Sequence, residues 1–186
     1  MRSPFGPGVT ILGSLALIMI LFLFIGLLLP GTWEATASVR IPASPEVTYL
    51  HLDSPADWNQ WTTWPETGVR MVGNPSGEGS GFTWDDPELG NGAFSIIEAQ
   101  EPELIRYQVQ MQDGVMHIDG LLELSPEEDG TRILWKESGD LGVNPLMGYW
   151  ALSMNRMQTA ELEKSLNRLL QVVLNLRDSI DSAPNR

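Results

Sequence analysis

From Val9 to Leu29 the sequence carries no charged residue and is dominated by Leu, Ile, Phe and Met. About twenty helical residues at 1.5 Å each match a hydrocarbon core of ~30 Å, so the pattern predicts a transmembrane helix over 9–29 behind a short tail at 1–8. Pro30-Gly31 then stops it. A buried core helix would be shorter or carry a polar stripe. The other reading is a cleavable signal, because Ala35-Thr36-Ala37 has the A-x-A form of a cleavage site. The apolar run exceeds the roughly 7–15 residues of a signal core. Cleavage there would also cut the first predicted strand, so an uncleaved anchor is the expectation.

Beyond the anchor the period changes to two. Trp33–Ile41 alternates apolar and polar residues, as a half-buried strand does. Ser44-Pro45 opens a short helix and Pro55 a second, which is expected to carry Trp58, Trp61 and Trp64 at three-residue spacing. Gly73–Gly81 reads as a loop before Phe82-Thr83-Trp84; with no Lys or Arg beside its glycines and a strand following, it is not a phosphate cradle. Asn91-Gly92, Asp113-Gly114 and Asp129-Gly130 are turn dipeptides that divide Ala93–Ala99, Leu104–Met111, Met116–Leu124 and Thr131–Glu137 into an antiparallel meander. Ile105, Tyr107, Val109 and Met111 share one face of their strand, and Ile133 and Trp135 share one of theirs.

Last comes a long helix with Pro145 in its first turn. Leu162, Leu166, Leu169, Val173 and Leu176 form a core-facing stripe at alternating spacings of four and three. Toward the N-terminus the stripe continues as Met147, Ala151, Met154 and Gln158, less bulky and more polar. The order of elements predicts an α+β domain over 33–178, a curved antiparallel sheet around a long C-terminal helix, with a frayed tail at 179–186.

Composition narrows the partners. The 186 residues leave room for one domain after the anchor, and a 42% hydrophobic content with seven Trp is that of a folding chain. The formal charge of -13 repels phosphate backbones, so no nucleic-acid partner is expected. With no cysteine, thiolate catalysis and thiolate metal sites are excluded. No cofactor or metal is implied by any ligand spacing. Arg2 before the helix and Glu34 after it place the N-terminus in the cytoplasm and the domain across the cell membrane.

Val39-Arg40-Ile41-Pro42-Ala43-Ser44-Pro45-Glu46-Val47, the W-x-x-W element Trp61-Thr62-Thr63-Trp64, Gly79–Trp84, Gly90-Asn91-Gly92 and the terminal helix segment Glu161–Leu169 occur in an order that resembles the START-like (SRPBCC) helix-grip superfamily. The polyketide cyclase/dehydrase and lipid-transport branch is the most similar, and the resemblance covers Trp33–Val173. It implies a helix-grip fold with an internal pocket for an apolar ligand, and says little about chemistry.

In such a pocket the inward candidates from the short helices are Trp58, Trp61 and Trp64, with core packing as the plainer role for these three. The strands offer Trp84, Met116, Ile118, Trp135 and Glu137, and the long helix Met154 and Gln158, with Glu161 beside the stripe. Glu137 shares its face with Ile133 and Trp135; buried, its carboxyl would act as a general base, although an unpaired buried carboxylate is rare and a place at the strand end, at the pocket mouth or in solvent is favoured. His117 and Asp119 stand two apart and could orient one another, as a weak catalytic pair, or hold a weak metal site, but on the face opposite the apolar stripe a solvent-exposed pair is the favoured expectation. The expectation is a membrane-tethered binder of a lipid or other hydrophobic small molecule; the alternatives are a cyclase or dehydratase using a pocket carboxylate, and a stress-related interaction module.

Overall fold

The computed structural model describes residues 7–111, 116–142 and 144–181. Asp113-Gly114 and the tail from Ser182 onward lie outside the described residues. Helix α1 spans Pro7–Leu28 and is the one described helix long and apolar enough to cross a membrane; its large side chains are exposed. Strand β1 (Thr32–Ile41) follows after three residues, then α2 (Pro45–Tyr49) and a 3-10 helix at Pro55–Gln60. The remaining strands are β2 (Arg70–Gly73), β3 (Ser80–Asp86), β4 (Gly90–Gln100), β5 (Leu104–Met111), β6 (Met116–Glu127) and β7 (Gly130–Asp140), and α3 (Pro145–Asp181) closes the fold.

The seven strands form one antiparallel sheet in the order β1-β7-β6-β5-β4-β3-β2. β1 therefore pairs with the last strand, and the meander fills the rest. α3 lies along β1, with Leu162, Leu166, Leu169 and Val173 buried against the sheet. This is the helix-grip α+β arrangement: one curved sheet whose inner face is covered by one long helix.

Four local expectations change. The stripe on α3 leaves the core one step early, since Leu176 is exposed, and the helix itself continues past 178 to Asp181. The 3-10 helix stops at Gln60, so Trp61 is its cap and Trp64 lies beyond it. β2, four residues with every side chain exposed, has no hydrophobic alternation by which it could be read. Asn91-Gly92 is not a turn. Both residues are in β4, opposite Asp85 and Trp84. Asp86 makes the turn instead: its carboxylate accepts N–H bonds from Glu88 (2.8 Å) and Leu89 (3.1 Å), and from Glu66 and Thr67 across the gap. Those donors, the Glu88 amide first, hold the Asp86 carboxyl down at about 2.

Candidate functional site

The inner face of the sheet is unusually aromatic. Trp58 packs at 4.7 Å from Phe94 and edge-on at 5.0 Å to Tyr107, while Phe94 stacks on both Phe82 (5.2 Å) and Tyr107 (5.0 Å). Between this layer and α3 lies a cavity of about 200 Å³. Its sheet wall includes Phe82, Trp84 and Phe94; its helix wall is Gln158, Leu162 and Ser165. At its rim the exposed Thr63 hydroxyl donates to Glu161 Oε1 at 2.5 Å, joining the loop after the 3-10 helix to α3.

One polar cluster interrupts the apolar lining. Tyr107, Gly120 and Glu137 stand side by side on β5, β6 and β7. A Cβ on Gly120 would lie 1.9 Å from the Tyr107 ring, so only glycine lets that ring lie flat across β6 and reach Glu137. The Tyr107 hydroxyl donates a short bond to Glu137 Oε1 and accepts one from Trp135 Nε1 at 2.8 Å. Because the indole can only donate, the phenol proton is committed to Glu137. Gln158 Nε2 donates to the other oxygen, Glu137 Oε2, at 2.6 Å.

Glu137 is 8% exposed. Burial raises its carboxyl above the usual value, against the lowering effect of the Tyr107 and Gln158 bonds. Burial, then the neighbouring Glu137 charge, pushes the Tyr107 phenol well above its ordinary range, so it remains a donor. The site thus holds a carboxyl near an apolar cavity, poised by neutral donors, with no metal-ligand cluster among the described residues. Trp84 also lines the cavity, and its buried indole N–H has no hydrogen-bond partner among the described residues.

Of the sequence candidates, Trp58, Trp84, Trp135, Glu137 and Gln158 line this cavity. Trp61 is buried beside it, tied by Nε1 to the His51 carbonyl at 3.2 Å and packed edge-on to Trp135. Trp64 packs on Phe82, and Met154 and Ile118 on the core, outside the cavity lining; Met116 is half-buried at the sheet's end. His117 and Asp119 project from the outer face, exposed, with Asp119 accepting from Gln108 Nε2 at 2.8 Å. Strand alternation separates them from Glu137, so they are no part of the cavity chemistry. Glu137 is not at a solvated strand end, because partners on β5 and α3 satisfy both of its oxygens. Tyr107 is a site residue that sequence reasoning does not single out; its place on the Ile105–Val109–Met111 face is the signal for it.

A sheet gripping a helix around an aromatic cavity defines a class of small-molecule-binding folds. Residues 32–173 match the family of polyketide cyclase / dehydrase and lipid transport proteins, and the chain belongs to it. No curated protein matches the sequence. Among solved structures, a Rhodobacter sphaeroides protein is 24% identical, aligned over 77% of this chain and 94% of its own, with a TM-score of 0.52. A Geobacillus kaustophilus conserved protein is 11% identical over 76% and 95%, with a TM-score of 0.58. A point mutant of norcoclaurine synthase from Thalictrum flavum, in complex with a transition-state analogue, is 11% identical over 78% and 96%, with a TM-score of 0.63. At such identities the likeness is one of fold.

Proposed function

We propose that the chain is a membrane-anchored binding module for a compact hydrophobic molecule that carries one polar group. The observation that carries this reading is the cavity: aromatic along its sheet wall, with Glu137 and Gln158 as a hydrogen-bonded polar pair on its inner surface. Ligand pockets commonly measure about 300–1,000 Å³, and this one is about 200 Å³. A ring system or a single short chain fits that space better than a two-chain lipid. The ligand's polar group meets Glu137 and Gln158.

The anchor half of the reading rests on α1 and on where Ala35-Thr36-Ala37 lies. Ala35 and Ala37 are 2% and 5% exposed inside β1, paired to Glu137 and Trp135 of β7. Cleavage there would remove the strand that closes the sheet. The positive-inside rule then puts the domain on the extracytoplasmic face. Single cysteines at Ser3→Cys and Ser182→Cys should label from opposite sides of the membrane; labelling from one side rules out a spanning α1.

For the ligand, full-length protein in lipid nanodiscs is extracted and its co-purifying molecules identified by mass spectrometry. A compact amphiphile retained by the wild type and lost in Glu137→Gln is the expected result. A wild type that is empty and takes up no fluorescent apolar probe ends the binding proposal. The raised carboxyl beside a committed phenol supports a second reading, in which Glu137 acts as the general base of a cyclisation or dehydration. Under it Glu137→Gln would retain the ligand unconverted rather than lose it.

A further inference from the structure

α3 begins beside the end of α1. Tyr149 stacks on Phe22 with ring centroids 4.4 Å apart, and its hydroxyl donates to the Phe22 carbonyl at 2.8 Å. A Cβ on Gly26 would lie 2.1 Å from the Pro145 oxygen, so the backbones are in direct contact. Phe22 stands six residues before the end of α1, about 9 Å down the helix axis. The start of α3 therefore reaches below the top of the apolar helix.

Two placements follow: either the last turns of α1 stand in water, or the first turns of α3 sit in the membrane. In the first, Pro7–Leu21 would be left to span alone, about 23 Å of helix against a ~30 Å hydrocarbon core. The sequence of α3 answers the same question independently. From Leu141 to Asn155 a chain of net charge -13 carries no charged residue. Leu146, Trp150 and Met157 recur on one stripe that faces neither α1 nor the core, and they are 51%, 55% and 59% exposed. Indole side chains concentrate at the headgroup level, and interfacial helices sink about 5–10 Å into it. That depth matches the 9 Å overlap.

We infer that the first turns of α3, led by Leu146 and Trp150, form a second membrane contact, seated in the interfacial zone of the bilayer that α1 crosses. This rests on the reading of α1 as an anchor. Its consequence concerns the cavity, which runs along β5 from Tyr107 through Val109 to Met111. Met111 belongs to the same end of the sheet as Thr32 and Asp140, where α1 joins. The contact holds that end against the lipid, so an apolar ligand has a short path between bilayer and cavity.

The natural absence of cysteine makes the test direct. Full-length protein carrying one nitroxide at Leu17→Cys, Leu146→Cys, Trp150→Cys or Gln171→Cys is reconstituted in phosphatidylcholine/phosphatidylglycerol vesicles. Accessibility to oxygen, which enters lipid, is compared with accessibility to a polar nickel chelate, which does not. The expected result is an oxygen-to-nickel ratio several-fold higher at 146 and 150 than at 171, and highest at 17. A high ratio at 17 with water-like ratios at 146 and 150 overturns the contact and leaves the anchor standing. A water-like ratio at 17 overturns both. Spin–spin broadening at 150, with both probes excluded, would show that a second copy of the chain covers the stripe, and overturns the lipid contact.

Discussion

The two halves of α3 share one backbone but answer to different surroundings. In the second half Leu162, Leu166, Leu169 and Val173 are nearly fully buried, and the charged residues Glu163, Lys164 and Arg168 lie toward solvent. In the first, Ala151 and Gly148 are buried while Leu146, Trp150, Leu152 and Met157 are exposed. One half is an amphipathic helix with its apolar stripe on the core; the other carries apolar residues on the face turned away from the core. The seam between them is Gln158, which reaches Glu137 across the cavity. Hydrophobic residues of one helix thus fall into two sets, one buried in the core and one left exposed.

Breaking the inner half should have the largest effect. Leu166→Ala is expected to cost about 2–5 kcal/mol, seen as a lowered thermal midpoint of the reconstituted protein. Next is the contact of the outer half with α1. In Gly148→Ala the new Cβ would sit 2.6 Å from Leu29 Cβ and 2.7 Å from the Gly26 oxygen; overpacking of this kind costs about 1–3 kcal/mol. Hydrogen exchange should then rise at 145–155 and not at 162–173.

At the seam the effect is a slope rather than a drop. Burial raises the folded-state Glu137 carboxyl above 4.5, so folding takes up a proton. Its contribution is fully favourable below the unfolded value and is lost as pH rises through the raised folded value. Glu137→Gln should flatten that decline and leave the protein more stable than wild type at neutral pH, as followed by thermal unfolding across pH 4–8. The smallest stability change belongs to Trp150→Ser, within about 0.5 kcal/mol because the indole leaves no core contact behind. If unfolding of Trp150→Ser shows a cost like that of Leu166→Ala, the contrast between the two halves is wrong.

The contrast was only partly legible in the sequence. Period-two alternation located β5, β6 and β7, and the Leu162–Val173 spacing located the inner half of α3, because each buries one face along its own length. Depth was less accessible than face. Alternation put Glu137 on the face of Ile133 and Trp135, yet an exposed place remained the favoured expectation, because nothing in the sequence shows that Tyr107, thirty residues earlier, satisfies it across Gly120. Gly26 and Gly148 carried no readable message alone; their meaning is a contact between segments more than a hundred residues apart. The turn lies at Asp86 rather than at Asn91-Gly92 because a carboxylate, not an Asn-Gly pair, supplies its bonds.

Only Leu29, Pro30 and Gly31 separate α1 from β1, and Gly31 is pressed so closely on the Gly142 oxygen that a Cβ would lie 2.2 Å from it. Together with the Gly26–Pro145 contact, this joins α1 to the domain without a free linker. A spanning helix stands upright in a thick membrane and leans over in a thin one. If α1 is the spanning anchor proposed above, a domain joined to it this closely leans with it. Bilayer thickness would then be converted directly into the attitude of the cavity.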